Sequence, residues 1–141
     1  LLQSSAASDV YKRQDLRDDP KKNCFISGDV DEINQVFVNL LENAIKYGFD
    51  NTNVIVRIEQ IINKEIKVSV INSGEGIPDK YIDRLTERFF RVDKARSRKI
   101  GGTGLGLAIV KHILIKHRAQ LSINSIPNQE TKFSITFPII N

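Results

Sequence analysis

The feature that most restricts the fold of this chain is a one-sided apolar stripe in residues 31–47. Its apolar residues recur with the 3.6-residue period of a helix: Ile33, Val36, Phe37, Leu40, Leu41, Ala44 and Ile45. Asp29 and Glu32 precede the stripe with the spacing of a capping box, which predicts a helix that begins there. Because a helix with one apolar face must bury it against another layer, the chain needs a sheet or a second helix to cover it.

Four later segments alternate apolar and polar residues, as half-buried strands do. Residues 53–60 and 65–72 predict one antiparallel hairpin, and residues 119–126 and 131–139 predict a second, joined at 127–130. Residues 73–80 are predicted as a loop, followed by a weak helix over 81–90. Between Thr103 and about His117 the pattern is helical and apolar nearly all round, which predicts a buried helix. The order predicts an α+β fold, a two-layer α/β sandwich with a mixed, mostly antiparallel sheet packed on about three helices.

Length and composition are those of one soluble globular domain. The chain has 141 residues, 40% hydrophobic and 27% charged, and its apolar runs are too short to span a membrane. The single cysteine, Cys24, excludes an internal disulfide and favours a reducing, cytoplasmic compartment. Residues 1–14 have no periodicity and predict a disordered or non-native leader, which leaves 15–141 as the domain.

Positive charge is concentrated in one segment. The net charge is +4, and residues 91–99, "RVDKARSRK", hold five basic residues and one acidic residue without any periodicity. We expect this segment to be mobile. Such a cluster suits a polyphosphate or a nucleic-acid backbone, but aromatic residues are not interleaved with it, which makes a nucleic-acid binder the weaker interpretation.

Polar residues occupy the other side of the first predicted helix. Asn39, Asn43 and Lys46 share that face, and Tyr47 lies at its edge. Such a face is often only a solvated surface. Alternatively, Asn43 offers an oxygen ligand to Mg²⁺ while Lys46 supplies positive charge to substrate phosphates.

Two glycine-rich segments are the remaining candidates for a binding site. The segment "NSGEGIP" (72–78) is either a surface loop stiffened by Pro78 or a backbone against which a flat ring lies. The segment "IGGTGLGLAIV" (100–110) lacks the lysine of a Walker loop and does not fit the dinucleotide fingerprint. It is a glycine turn that leads into a helix, whose N-terminus favours an anion, or else a hinge before a helix.

Four of these segments, in this order, resemble the boxes of the ATP-binding catalytic domain of bacterial sensor histidine kinases, of PhoR-like type. The segment "NQVFVNLLENAIKYG" resembles the N box, "VINSGEGIP" the G1 box, "ERFFRVDKARSRK" the F box with the start of the ATP lid, and "GGTGLGLAIVKHI" the G2 box. The resemblance covers about residues 24–140. It implies the Bergerat-type sandwich shared with gyrase, Hsp90 and mismatch-repair ATPases.

The resemblance also implies roles for individual residues. Asn43 would coordinate Mg²⁺, and Asn39 and Lys46 would face the phosphates as the catalytic pair. The adenine site and the phosphate site would be completed by Tyr47, Asn72, Gly74, Gly76, Ile77, Arg91, Gly102, Thr103, Gly104, Leu105, Gly106, Leu107 and Thr131. Because gyrase-like hydrolases have a glutamate general base where this chain has Asn39, the resemblance favours phosphoryl transfer over hydrolysis.

The implied cofactors are ATP and Mg²⁺. The γ-phosphoryl group would pass to a histidine on a dimerisation/histidine-phosphotransfer domain of the parent kinase, and then to the receiver domain of a response regulator. No nucleic-acid partner and no membrane segment are expected in this chain, although the parent kinase could be anchored in the inner membrane. The alternative is a non-catalytic ATP-binding regulatory module with the same pocket.

The chain departs from the family pattern in several places. Asn72 stands where the usual aspartate accepts a hydrogen bond from adenine, which predicts several-fold weaker ATP binding. His117-Arg118-Ala119 replaces His-Gly-Gly and Glu130-Thr131 replaces Gly-Thr, with small effects expected on stability. No phosphoacceptor motif is present, so we expect an N-terminally truncated domain, and the presence of the family's first strand is left open. Both His112 and His117 are predicted to be packed or capping residues.

Overall fold

The fold is known from a computed structural model, which describes residues 24–61, 64–92 and 106–140 and the backbone of 14–17. Strands β1 (Gln14–Arg17), β2 (Val54–Ile61), β3 (Glu65–Ser73), β4 (Gln120–Ile126) and β5 (Glu130–Pro138) form one sheet. The helices of the described part are α1 (Val30–Tyr47), α2 (Asp79–Ile82) and α3 (Gly106–Lys116). None of them is long and apolar enough to cross a membrane.

The sheet confirms the predicted two-layer α+β class. Its strand order is β1-β2-β3-β5-β4, in which β1 pairs parallel to β2 and the other neighbours are antiparallel. Both predicted hairpins, β2–β3 and β4–β5, are present. β1 was not predicted from the sequence, where the presence of a first strand was left open, and it begins at Gln14, the last residue of the predicted leader. The rest of that leader lies outside the described residues.

Helix α1 begins where its capping signal predicts, but the cap is only half of a capping box. The Asp29 side chain accepts a hydrogen bond from the Glu32 backbone N–H at 3.1 Å. The Glu32 carboxylate does not return to Asp29 and instead accepts from Lys116 of α3 at 2.8 Å. The apolar stripe of α1 faces the sheet, with its centre, Val36, Leu40 and Ala44, buried.

The core lies between the two long helices and one face of the sheet. Helix α3 contributes Val110, Ile113 and Leu114, and β5 contributes Phe133, Ile135 and Phe137. The prediction that α3 is buried all round is wrong, because Ile115 is 66% exposed and His112 is also exposed. In a two-layer sandwich nothing covers the outer side of a helix, so α3 buries only the face that meets the sheet and α1.

The weak helix predicted over 81–90 is also mostly wrong. Helix α2 spans only Asp79–Ile82, and turns continue from there to Phe89. The backbone hydrogen bonds in these turns join residues three apart; for example, the Glu87 N–H donates to the Arg84 carbonyl at 2.9 Å. The Arg84 guanidinium lies 4.4 Å from the Phe90 ring centroid, so these two side chains stack across the turns.

The sheet face opposite the helices has its own buried polar contact. Ser69 of β3 and Ser134 of β5 are directly opposite in register, and their hydroxyl oxygens lie 2.9 Å apart. Both residues are buried, at 2% and 1% exposed. This pair lies on the other side of the sheet from α1 and α3.

Candidate functional site

The last turn of α1 is joined directly to the end of β3. The Phe49 backbone N–H donates to the Ser73 carbonyl at 2.7 Å, and Gly48 forms an isolated bridge with Gly74. A Cβ at Gly74 would lie 2.7 Å from the backbone oxygen of Tyr47, closer than real Cβ contacts. Glycine is therefore required at this position by the approach of α1 to the sheet.

The β4–β5 hairpin holds the loop that follows β3. The Ile77 backbone N–H donates to Ser125 Oγ at 2.8 Å, and the Asn128 N–H donates to the Glu75 carbonyl at 2.8 Å. Gly76 has a φ of 84°, and a Cβ there would lie 2.8 Å from Ser125 Oγ. The loop 74–78 is thus fixed by the chain's own contacts.

The beginning of α3 lies beside the middle of α1. A Cβ at Gly106 would meet Asn39 Cγ and Oδ1 at 3.9 Å, an ordinary contact, and no closer atom of the described residues. The packing described here therefore does not require glycine at Gly106. The described part of α3 begins beside Asn39, and backbone N–H groups at a helix start are the donors that an anion uses.

The predicted polar residues of α1 form a strip between these two places. Asn39 and Asn43 are half-buried, while Lys46 and Tyr47 are exposed. A helix rises 1.5 Å per residue, so the strip from Asn39 to Tyr47 is about 12 Å long. One end of the strip is at Gly106 and the other is at Gly74. The structure thus brings three of the four predicted segments into one site.

Asn72 and Thr131 lie behind the Gly74 end of the strip. They are opposite each other on β3 and β5, and each is 5% exposed. The Asn72 Nδ2 atom would be 3.0 Å from a Cβ at Gly74, and Thr131 Oγ1 lies 3.2 Å from Ser125 Oγ. The carboxamide of Asn72 therefore borders the start of the loop 74–78.

For the remaining predicted site residues, the structure gives burial for some and no description of others. The side chains of Ile77 and Leu107 pack partly against the core, and Arg91 is half-buried. Gly102, Thr103, Gly104 and Leu105 lie outside the described residues, as does most of the basic segment 91–99. Sequence reasoning missed Ser125, which holds the loop through Ile77 N–H. The sequence did contain a signal for Ser125. Leu121, Ile123 and Ser125 alternate along β4 on the side that faces the core, and a polar residue on that side needs a hydrogen-bond partner.

This sandwich, with its polar helix strip between two glycine segments, defines a nucleotide-binding ATPase fold. Residues 28–141 match the family model described as "Histidine kinase-, DNA gyrase B-, and HSP90-like ATPase". The match covers most of the chain, and the protein belongs to this family. Within the family, the chain is homologous to the ATPase catalytic domains of sensor histidine kinases.

Individual relatives agree with this assignment. Sensor protein kinase WalK of Staphylococcus aureus is 42% identical over 124 residues, which are 87% of this chain and 30% of that protein. In other strains the same match covers 20% of WalK, so the chain spans only about a fifth to a third of the curated relatives it matches. The particular PhoR-like type stays a prediction.

Solved structures give the same result for the fold. The mycobacterial sensor histidine kinase MprB superimposes with a TM-score of 0.78 at 28% identity, over 90% of this chain and 81% of that chain. The catalytic domain of histidine kinase ThkA gives 0.74 at 27% identity, over 89% of this chain and 78% of that chain.

Proposed function

We propose that this domain binds Mg-ATP and transfers the γ-phosphoryl group to a histidine on a dimerisation/histidine-phosphotransfer domain of its parent kinase. The phosphoryl group would then pass to the receiver domain of a response regulator. The observation that carries the proposal is the strip of α1 that begins beside Gly106 and ends beside Gly74; among the described residues, Gly106 has only an ordinary contact with Asn39. A site about 12 Å long with anion-binding donors at one end suits a nucleoside triphosphate.

The phosphate end of the proposed site is the Asn39–Gly106 end. The N-terminus of α3 would bind phosphate oxygens with its backbone N–H groups, and Gly106 would let them approach closely. Asn39 would orient an oxygen at the start of α3. Lys46 lies near the other end of the strip, in the last turn of α1, and its long side chain would reach along the strip to supply charge to the phosphates. The chain segment 102–105 and Arg91 are proposed to complete this end.

The metal would be held chiefly by the substrate. In the described residues no three His, Cys, Asp or Glu side chains cluster as metal ligands. The half-buried Asn43 offers a neutral oxygen, one turn along α1 from Asn39. Mg²⁺ keeps several waters and commonly takes its other ligands from phosphates, so one amide oxygen fits this ion. The ion would neutralise charge on the transferred phosphoryl group.

The adenine end of the proposed site is the Gly74 end. The buried Asn72 carboxamide would accept a hydrogen bond from the adenine amino group, with Thr131 beside it. Tyr47 and Ile77, together with Gly74 and Gly76, would contact the flat faces of the base. The β4–β5 hairpin already fixes this loop, so little ordering would be needed when the base binds.

Transfer to a protein side chain is preferred over hydrolysis for a chemical reason. Asn39 lies next to the helix start where the terminal phosphate would bind, and its amide cannot take a proton from water. A phosphoryl transfer needs positioning and charge neutralisation more than it needs a base. The acceptor histidine would therefore enter from another domain.

The test is a phosphotransfer assay with labelled Mg-ATP, this chain and a separately purified dimerisation domain from a sensor histidine kinase. We expect acid-labile phosphohistidine on the added domain, and its loss in Asn43→Ala. Asn124→Ala, an exposed asparagine on β4, is the matched control and should retain full transfer. Nucleotide binding without phosphohistidine on any cognate domain would favour the non-catalytic module, and absence of nucleotide binding would refute both.

A further inference from the structure

Helices α1 and α3 run antiparallel, and α3 contacts α1 at both of its own ends. At one end Gly106 lies beside Asn39. At the other end the Asp29 backbone N–H donates to His117 Nε2 at 3.0 Å, and Lys116 Nζ donates to the Glu32 carboxylate at 2.8 Å. The second of these contacts is an ion pair whose Lys116 side chain is 52% exposed, so it contributes little to holding the helices.

The His117 ring uses both of its nitrogen atoms. Its Nδ1 atom lies 2.7 Å from the Ile113 carbonyl, and since a carbonyl only accepts, Nδ1 must donate. Its Nε2 atom is then free to accept from Asp29 N–H. One tautomer, with the proton on Nδ1, therefore joins the last turn of α3 to the N-cap of α1.

The chain leaves room for this ring at Gly28. A Cβ there would lie 2.7 Å from His117 Cδ2 and 2.5 Å from Ile33 Cδ1. The absence of a side chain at Gly28 lets the imidazole reach the Asp29 backbone. The contact is thus built from two separate parts of the chain, residues 28–33 and 113–117.

We propose that His117 is a positioning residue for the nucleotide site, acting through the register of α3 on α1. The proposal rests on the proposed function. The hydrogen-bond ladder of α3 keeps its length constant, so a shift of the His117 end along α1 moves Gly106 equally past Asn39. Misplacement by about 1 Å can cost about 100-fold in a positioned reaction, so this link matters at the far end of the helix.

The test uses two variants that disturb the link from opposite sides, His117→Ala and Gly28→Ala. We expect each to raise the dissociation constant for Mg-ATP by about fivefold, the effect of one hydrogen bond. In an amide NMR spectrum the cross-peaks of Gly106 and Leu107 should move in both variants. His112→Ala, at the exposed histidine of α3, should change neither quantity.

A second control separates positioning from general loss of stability. Ser69→Ala breaks the buried hydroxyl pair on the far face of the sheet, and should lower the melting temperature without changing ATP affinity or the Gly106 peak. Equal ATP affinity in His117→Ala and Ser69→Ala, at similar melting temperatures, would overturn the proposal.

The ring itself gives a direct measurement in the intact fold. The chain has two histidines, so His112→Ala leaves His117 as the single imidazole. Its nitrogen shifts should report a proton on Nδ1, and a proton on Nε2 would also overturn the proposal. If the unaltered chain fails to bind ATP, the proposed function fails, whereas the tautomer and the Gly106 shift still test the link.

Discussion

The two glycine segments of this molecule look alike in sequence and differ in what their glycines do. In the loop 74–78, Gly74 makes room for the backbone oxygen of Tyr47, and Gly76 has a positive φ beside Ser125. Gly106, at the start of α3, has only an ordinary contact with Asn39 among the described residues. Packing requires glycine at Gly74 and Gly76, whereas the contacts of the described residues do not require it at Gly106.

A glycine-rich motif does not show whether packing or ligand binding requires each of its glycines, and the structure separates these two reasons. A glycine that internal packing requires is explained whether or not a nucleotide ever binds. A helical glycine that the described packing does not require costs some helix stability and needs another reason, which close approach of a phosphate would supply. We therefore expect Gly74→Ala and Gly106→Ala to have opposite effects on stability and on ATP affinity.

The largest effect should come from the side chain that borders the structural loop. Asn72→Ala removes the proposed hydrogen-bond acceptor and leaves the buried adenine amino group without a partner, so we expect ATP affinity to fall by about 100-fold. Asn72→Asp adds charge assistance to the same contact, so affinity should stay equal or tighten by about 1 kcal/mol. Isothermal titration with a non-hydrolysable ATP analogue measures both. Unchanged affinity in Asn72→Ala would mean that this end of the site does not hold the base.

Gly74→Ala should destabilise the fold without any nucleotide present. Its Cβ would clash with the backbone oxygen of Tyr47, and a backbone cannot move aside as a flexible side chain can. Overpacking of this kind costs about 1–3 kcal/mol. Urea unfolding, followed by circular dichroism, measures the change. An unaltered urea midpoint would show that packing does not require glycine at Gly74, and the contrast with Gly106 would fail.

Gly106→Ala should have the opposite signature. Alanine favours helix over glycine by up to about 1 kcal/mol, so stability should hold or rise. ATP affinity should fall about tenfold, or about 1.4 kcal/mol, because the methyl group separates the phosphate from the backbone. The same urea and titration measurements apply. Lower stability together with unchanged ATP affinity would make Gly106 a structural glycine like Gly74.

The smallest expected effect is on stability, at Arg118, where the backbone conformation favours glycine but the chain has an arginine. Arg118 follows α3 with a φ of 55°, a backbone conformation that costs side-chain-bearing residues energy. Arg118→Gly should raise the unfolding free energy by about 0.5–1 kcal/mol and leave ATP affinity unchanged. Thermal melting detects this shift. A decrease in melting temperature would indicate that the arginine side chain makes a compensating contact.

Local patterns predicted most of the fold correctly. The stripe of α1, its Asp29 cap and the two hairpins follow from periods of 3.6 and 2, which depend only on neighbours in sequence. His117 was predicted as a packed or capping residue, and its contacts with Asp29 and Ile113 confirm this. The same prediction for His112 is wrong, because its side chain is exposed on the outer side of α3.

Relations between distant segments were less accessible. Nothing in the order of residues indicated that Glu32 would pair with Lys116 instead of completing its capping box. The sequence also could not show which glycines packing requires, because the clash of a Gly74 Cβ with the Tyr47 backbone oxygen depends on how α1 meets β3. The roles of the site residues in ATP binding stay predictions, since they concern a ligand and not the chain alone.

The position of strand β1 has a consequence for how tightly its backbone is held. It is four residues long and occupies an edge of the described sheet, where it pairs with β2. Strands β3 and β5 are nine residues long and lie inside the sheet, each paired with a neighbour on both sides. A short edge strand opens locally at a lower free energy, so the amides of β1 should exchange with deuterium sooner than those of β3 and β5.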